Sequence, residues 1–148
     1  MKEVLQMCLD SDAIVIGTPI YYGSISSSAQ AFLERLLFAA DTYVLDEDGN
    51  RVSKIKKEIK TAMIYTMNVT KEMDYFNGED QLAIMRGYLT AIFGECEALY
   101  AYDTKQFKKH DPYLNNMFDP ELKEKSNEVQ FPKDCAKAFD LGKRLSEE

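Results

Sequence analysis

The sequence is first informative through what it lacks. No apolar run approaches the roughly 20 residues that a membrane helix needs. The longest candidate, Ala13-Ile14-Val15-Ile16-Gly17, has the length of a strand. Met1-Lys2-Glu3-Val4 lacks the basic-then-apolar layout of a signal peptide, so the expected location is cytoplasmic, with no membrane partner. There is no surplus of basic charge: 18 Lys and Arg face 25 Asp and Glu, a net charge of −7. Nucleic acid, whose phosphates demand a basic face, is therefore not an expected partner. Lys54, Lys56, Lys57 and Lys60 cluster, but Glu58 interrupts them and no aromatic residue is interleaved, as on a solvated face. Cys8, Cys96 and Cys135 are scattered, which excludes a CxxC motif and argues against a disulfide framework; buried free thiols are expected. His110 is the only histidine, with no cysteine nearby, so no metal site is expected. Neither GxGxxG nor GxxxxGK[ST] occurs.

What is present is the composition of an ordinary folded protein. In 148 residues, 45% are apolar and 29% charged, enough for one domain with a substantial core. Met1, Val4, Leu5, Cys8 and Leu9 recur at helical spacing, and Asp10-Ser11-Asp12 ends that helix. Ala13 to Gly17 is unbroken and β-branched, as strands buried on both faces are. A turn-rich stretch follows from Thr18 to Ser24. Ser27 and Gln30 then fit a capping box, with Ala29, Phe32, Leu33, Leu36, Leu37 and Ala40 on one helical stripe. Asp46 to Asn50 is a turn. Thr61 to Thr66 reads as a second strand, and Met67 to Gly78 as a long loop with a helical turn. Leu82, Met85, Leu89, Ile92 and Phe93 mark a helix closed by Gly94. Glu97 to Tyr102 is a third strand. Residues 103–130 look irregular, with Pro112 and Pro120 as breakers. Pro132 suits the first turn of a last helix, whose core side holds Cys135, Ala136, Phe139 and Leu145.

Strands alternating with helices imply a parallel sheet covered on both faces, with ligands bound beyond the carboxyl ends of its strands. Three segments lie there: Thr18 to Ser26, Thr66 to Gly78, and Asp103 onward. In the first, Pro19 stiffens the strand exit, Gly23 permits close backbone approach, and Tyr21 and Tyr22 offer planar surface with a polar tip. A planar, heteroatom-rich ring suits such a loop. A plain strand-to-helix connection with two structural tyrosines fits it equally.

The block Asp12-Ala13-Ile14-Val15-Ile16-Gly17-Thr18-Pro19-Ile20-Tyr21-Tyr22-Gly23-Ser24, followed by Ala31-Phe32-Leu33-Glu34-Arg35, resembles the flavodoxin-fold NAD(P)H-dependent FMN reductases. Their branch with the iron–sulfur flavoproteins is the nearest. Lys60 to Asn68, Phe93-Gly94 and Tyr102-Asp103-Thr104 resemble later parts of the same family. The resemblance implies a flavodoxin-like, three-layer α/β/α fold with a parallel sheet. It implies an FMN site in which Thr18, Pro19, Ile20, Tyr21, Tyr22, Gly23 and Ser24 wrap the isoalloxazine ring. Tyr21 or Tyr22 would pack near that ring, and Thr66, Met67 and Asn68 would form the second wall. NAD(P)H would be the electron donor and a small molecule or protein the acceptor. The flavin carries the chemistry, so no catalytic acid or base is nominated. Arg35 matches a family position, but on a helix face it reads as a structural ion pair rather than a ligand.

The sequence also departs from that family. Members begin with a strand and a glycine- and serine-containing loop that holds the FMN phosphate at a helix N-terminus, then a helix and a second strand. None of these has a counterpart here, nor do the cluster cysteines of the iron–sulfur branch. The expectation is an N-terminally truncated domain with about three strands left. Ala13 to Gly17 would then be an apolar edge strand prone to pairing, giving a homo-oligomer, and FMN binding would be weak because the phosphate loop and the strand beside the ring loop are missing. A flavodoxin-like electron carrier and a non-catalytic fragment are the alternative functions.

Overall fold

The computed structural model describes residues 1–73, 78–107 and 116–147. His110 and Pro112 lie outside them. The chain runs α1 (Lys2–Asp10), β1 (Ala13–Tyr21), β2 (Ser24–Ile25), α2 (Ser27–Ala40), β3 (Lys60–Thr66), α3 (Gly78–Phe93), β4 (Cys96–Ala101) and α4 (Pro120–Ser146). The sheet order is β2-β1-β3-β4. β1, β3 and β4 are parallel, as expected, but β2 adds a fourth, antiparallel strand. It pairs only at Ile20 and Tyr21. Along Ala13 to Pro19, β1 therefore has a ladder partner on one side among the described residues, and Val15 is half exposed.

Alternation along the strands sorts side chains onto two faces. Ile14, Ile16, Met63 and Tyr65 enter the main core with Leu33, Leu36 and Ala40 of α2 and Leu82, Leu89, Ile92 and Phe93 of α3. Leu5, Cys8 and Leu9 of α1 pack against its margin. On the opposite face Ala62 meets Leu141 and Leu145 of α4. The result is the three-layer α/β/α arrangement. Full burial of leucines such as Leu33 and Leu36 contributes about 1.5–3 kcal/mol each. The turn at Asp46 to Asn50 forms as expected: Asp46 Oδ1 accepts from the amides of Asp48 and Asn50.

Several boundaries differ from the sequence pattern, each for a physical reason. β1 does not stop at Gly17 but continues to Tyr21, because β2 folds back to pair with its end. The helix cap is Ser26, not Ser27. The Thr18 hydroxyl accepts from the Ser26 amide at 3.2 Å, holding Ser26 outside the helix, where its Oγ accepts from the Ala29 amide. Gln30 gives its amide to Glu34 rather than closing a capping box. β4 occupies Cys96–Ala101, one residue earlier than expected.

The last helix starts at Pro120, so the stretch from Pro120 to Gln130 is not irregular. Asp119 caps it by accepting from the amides of Glu121 and Leu122, and Pro120 has no amide to leave unpaired. Pro132 lies inside the helix on an exposed turn, where water can serve the carbonyl that its missing amide frees. The buried side of α4 is also rotated from the expected one. Leu145 is buried as expected, but Cys135, Ala136 and Phe139 are exposed, while Asp134 and Leu141 are buried. Asp134 tolerates burial because Gln130 and Lys137 donate to it at 2.9 and 3.1 Å. The cysteines are thus not uniformly buried: Cys96 is, Cys8 is half-buried and Cys135 is exposed.

Candidate cofactor site

The parallel register brings the strand ends level. Pro19 pairs with Thr66, and Thr66 with Ala101. Beyond these ends lies a cleft of about 230 Å³ lined by Pro19, Ile20 and Tyr21, by Thr66, Met67 and Asn68, and by Thr104, Lys105 and Gln106. Six of the ten residues nominated from sequence thus meet in one place.

The other four do not line the cleft. Thr18 shares the inward parity of Ile14 and Ile16 and is buried, its hydroxyl engaged with Ser26. Tyr22 and Gly23 form a two-residue hairpin turn leading into Ser24. Their φ values of 51° and 77° are the positive pair that a type I′ turn needs. Glycine suits that geometry; tyrosine does not. Tyr22 is fully exposed, whereas Tyr21 faces the cleft. Arg35 donates to the Ala31 carbonyl of its own helix and makes no ion pair among the described residues, contrary to its expected role.

The two loops on the far side are cross-linked. The Met67 amide donates to Ala101 O at 3.0 Å, and the Asp103 amide to Val69 O at 2.8 Å. The amide and hydroxyl of Thr104 both donate to Met67 O at 2.9 Å. Asn68 Nδ2 donates to Gln106 Oε1 at 3.3 Å. Behind them, Tyr65 and Tyr100 pack with ring centroids 5.2 Å apart. The Tyr65 hydroxyl donates to Leu82 O, and burial raises its pKa well above the ordinary tyrosine value. Thr104, Lys105 and Gln106 were not nominated as site residues, although strand topology had marked the segment from Asp103 onward.

Among the lining residues Lys105 is the one charged side chain, and its ammonium pairs with Glu124 of α4. The cleft is consequently polar but close to neutral. Tyr21 offers a flat face, while Asn68, Thr104 and Gln106 carry donors and acceptors. These groups fit the polar edge of an isoalloxazine ring. They do not form a phosphate cradle, which needs converging amides or free cations. The volume agrees, being below the roughly 300–1,000 Å³ of complete small-molecule sites.

Known proteins resemble the chain at several levels. An FMN-dependent NADH:quinone oxidoreductase of Stenotrophomonas maltophilia is 40% identical over 48 residues, 32% of this chain and 25% of that protein. FMN-dependent NADH:quinone oxidoreductase 2 of Pseudomonas aeruginosa is 40% identical over 48 residues, again 32% of this chain and 24% of its own length. The matched stretch thus spans about a quarter of these curated relatives. An NADPH-quinone reductase structure from P. pentosaceus aligns with a TM-score of 0.51 and 8% identity, covering 84% of this chain and 67% of that one. A thermophilic tryptophan halogenase from Streptomycin violaceusniger aligns at 0.54 and 13% identity, covering 74% and 64%. At such identities the structural likeness concerns the fold alone. The family model of the flavodoxin-like fold matches residues 1–109, and with the parallel sheet and its carboxyl-end cleft this places the chain in that family.

Proposed function

We propose that the chain carries the flavin-ring site of an FMN-dependent oxidoreductase that takes electrons from NADH or NADPH and gives them to a small acceptor of the quinone class. One observation carries the reading: the ends of β1 and β3 close on a single neutral cleft through Pro19 to Tyr21 and Thr66 to Asn68. The names of the two partly matching relatives support the cofactor, donor and acceptor class.

FMN, when bound, supplies hydride acceptance and donation, and the protein supplies position and surroundings. Tyr21 and Pro19 would hold the ring against the wall formed by Thr66, Met67 and Asn68; Asn68, Thr104 and Gln106 would offer hydrogen bonds to its polar edge, and Met67 would limit water there. No side chain is assigned a proton-transfer role. Because the cleft accommodates a ring rather than a whole nucleotide, FMN binding by this chain is weak.

The test is NADH oxidation with a soluble quinone at saturating FMN, compared with FMN alone. Protein-dependent turnover that falls in Tyr21→Ala supports the reading. Turnover no faster than free FMN, with no flavin bound by equilibrium dialysis, refutes it. Flavin binding without nicotinamide turnover would instead make the protein an electron carrier.

A further inference from the structure

We propose that Lys123 is a positioning residue that braces the two far-side loops of the cleft against α4. Its ammonium donates to the Asn68 carbonyl and to the Asp103 carboxylate. Asn68 lies in the loop after β3 and Asp103 in the loop after β4, so one cation ties both to a third element. The brace has further members: Ser126 donates to Asp103 O at 3.3 Å, and Glu124 pairs with Lys105. Three side chains within about one turn of α4, Lys123, Glu124 and Ser126, thus hold the segment that supplies Thr104, Lys105 and Gln106 to the cleft.

Three observations show that this arrangement is costly enough to need a reason. Lys123 is 3% exposed, and lysine is almost never buried unless paired. It stands in the first turn or so of α4, near the positive end of the helix dipole, where a cation is disfavoured. Asp103 adopts φ 56°, a left-handed conformation uncommon for a non-glycine residue. That conformation lets its amide reach Val69, its carbonyl Ser126 and its carboxylate Lys123 at once. Phe118 closes the outer side, its ring 4.6 Å from the ammonium. A buried ion pair is poor evidence of a stability gain, and its better-attested use is to fix one geometry among several. The geometry fixed here is the placement of Asn68 beside Thr104, hence the shape of the cleft's far wall.

The inference that the brace serves a cofactor rests on the FMN reading, and two independent readouts separate them. In ligand-free protein, K123M leaves Asn68 O and Asp103 without their shared donor. Amide exchange at residues 68–70 and 103–106 is expected to quicken about tenfold or more, from the loss of a charged hydrogen bond, while Ala62 to Tyr65 stay unchanged. FMN affinity is expected to fall about tenfold as well. Should K123M fail to fold, D103N serves instead: asparagine keeps the left-handed backbone and removes the charge. K123R, which retains the cation, is expected to restore part of the protection. Exchange that is unchanged, or faster throughout β3 and β4, overturns the brace. So does equal FMN affinity in wild type and a folded K123M. A wild-type chain that binds no FMN, yet shows the local exchange response, refutes the FMN reading and leaves the brace standing.

Discussion

Tyr22→Asn is expected to stabilise the protein. Tyr22 holds φ 51° at the first central position of the β1–β2 turn. For an L-residue the left-handed region costs roughly 1–2 kcal/mol, which asparagine partly avoids through its short polar side chain. Tyrosine repays nothing by packing, since Tyr22 is fully exposed. Gly23, at φ 77°, completes an Asn-Gly pair in the variant, the strongest short hairpin signal. The net gain is about 0.5–1 kcal/mol, or a rise in Tm of roughly 1–4 °C for a chain of this size. Thermal and urea unfolding followed by circular dichroism measure it. FMN affinity should change little, because Tyr22 does not line the cleft. In contrast, Tyr21→Ala removes an aromatic wall worth about 0.5–1.5 kcal/mol, a loss of roughly 2- to 13-fold in affinity. Destabilisation by Tyr22→Asn would refute the strained-turn argument. A loss of flavin affinity in Tyr22→Asn matching that in Tyr21→Ala would refute the assignment of Tyr21 as the ring-facing residue.

Other perturbations test the core and its titrating groups. Leu33→Ala empties a fully buried site between α2 and the sheet; it should cost about 2–5 kcal/mol, lowering Tm by roughly 5–15 °C. Tyr65 contributes stability through its neutral phenol, and its folded pKa is raised above the ordinary value of 10.0, chiefly by burial. That contribution is complete below about pH 10 and is lost as pH rises beyond it. Tyr65→Phe should therefore cost up to about 1 kcal/mol at pH 8 and less at pH 11 by urea unfolding. A cost that grows with pH would contradict it. Among the three thiols, exposed Cys135 should react first with an aromatic disulfide reagent. Burial raises the pKa of Cys8 and Cys96, and buried Cys96 should label only on unfolding.

The parallel strands and the position of the cleft were legible because few patterns compete with them. Ala13 to Gly17 and Thr61 to Thr66 are apolar runs that read as strands covered on both faces; β3 is so covered, whereas β1 exposes Val15 and Gly17 on one face. Parallel register then forces their carboxyl ends together, so Pro19 and Thr66 had to be neighbours. Thr18 was misassigned for want of one step. Extending strand parity past Gly17 places it inward with Ile14 and Ile16, where its hydroxyl meets Ser26. The first half of α4 is hidden in the sequence because its buried residue is Lys123, not an apolar one, and because Pro120 reads as a breaker and Pro132 as a helix start. Lys105 and Gln106 carry no motif, and Thr104 only ends the Tyr102-Asp103-Thr104 likeness. Their place is set by hydrogen bonds to Met67 and Asn68, partners about 37 residues away that no local pattern encodes.

The central claim is that the strand-end cleft holds a flavin ring, and an amide-exchange footprint of the chain with and without saturating FMN tests it most directly. The account predicts slowed exchange at Tyr21, Met67, Asn68 and residues 104–106, with none along the turn from Asp46 to Asn50. Protection elsewhere, or none at an FMN concentration that saturates binding by dialysis, would contradict it.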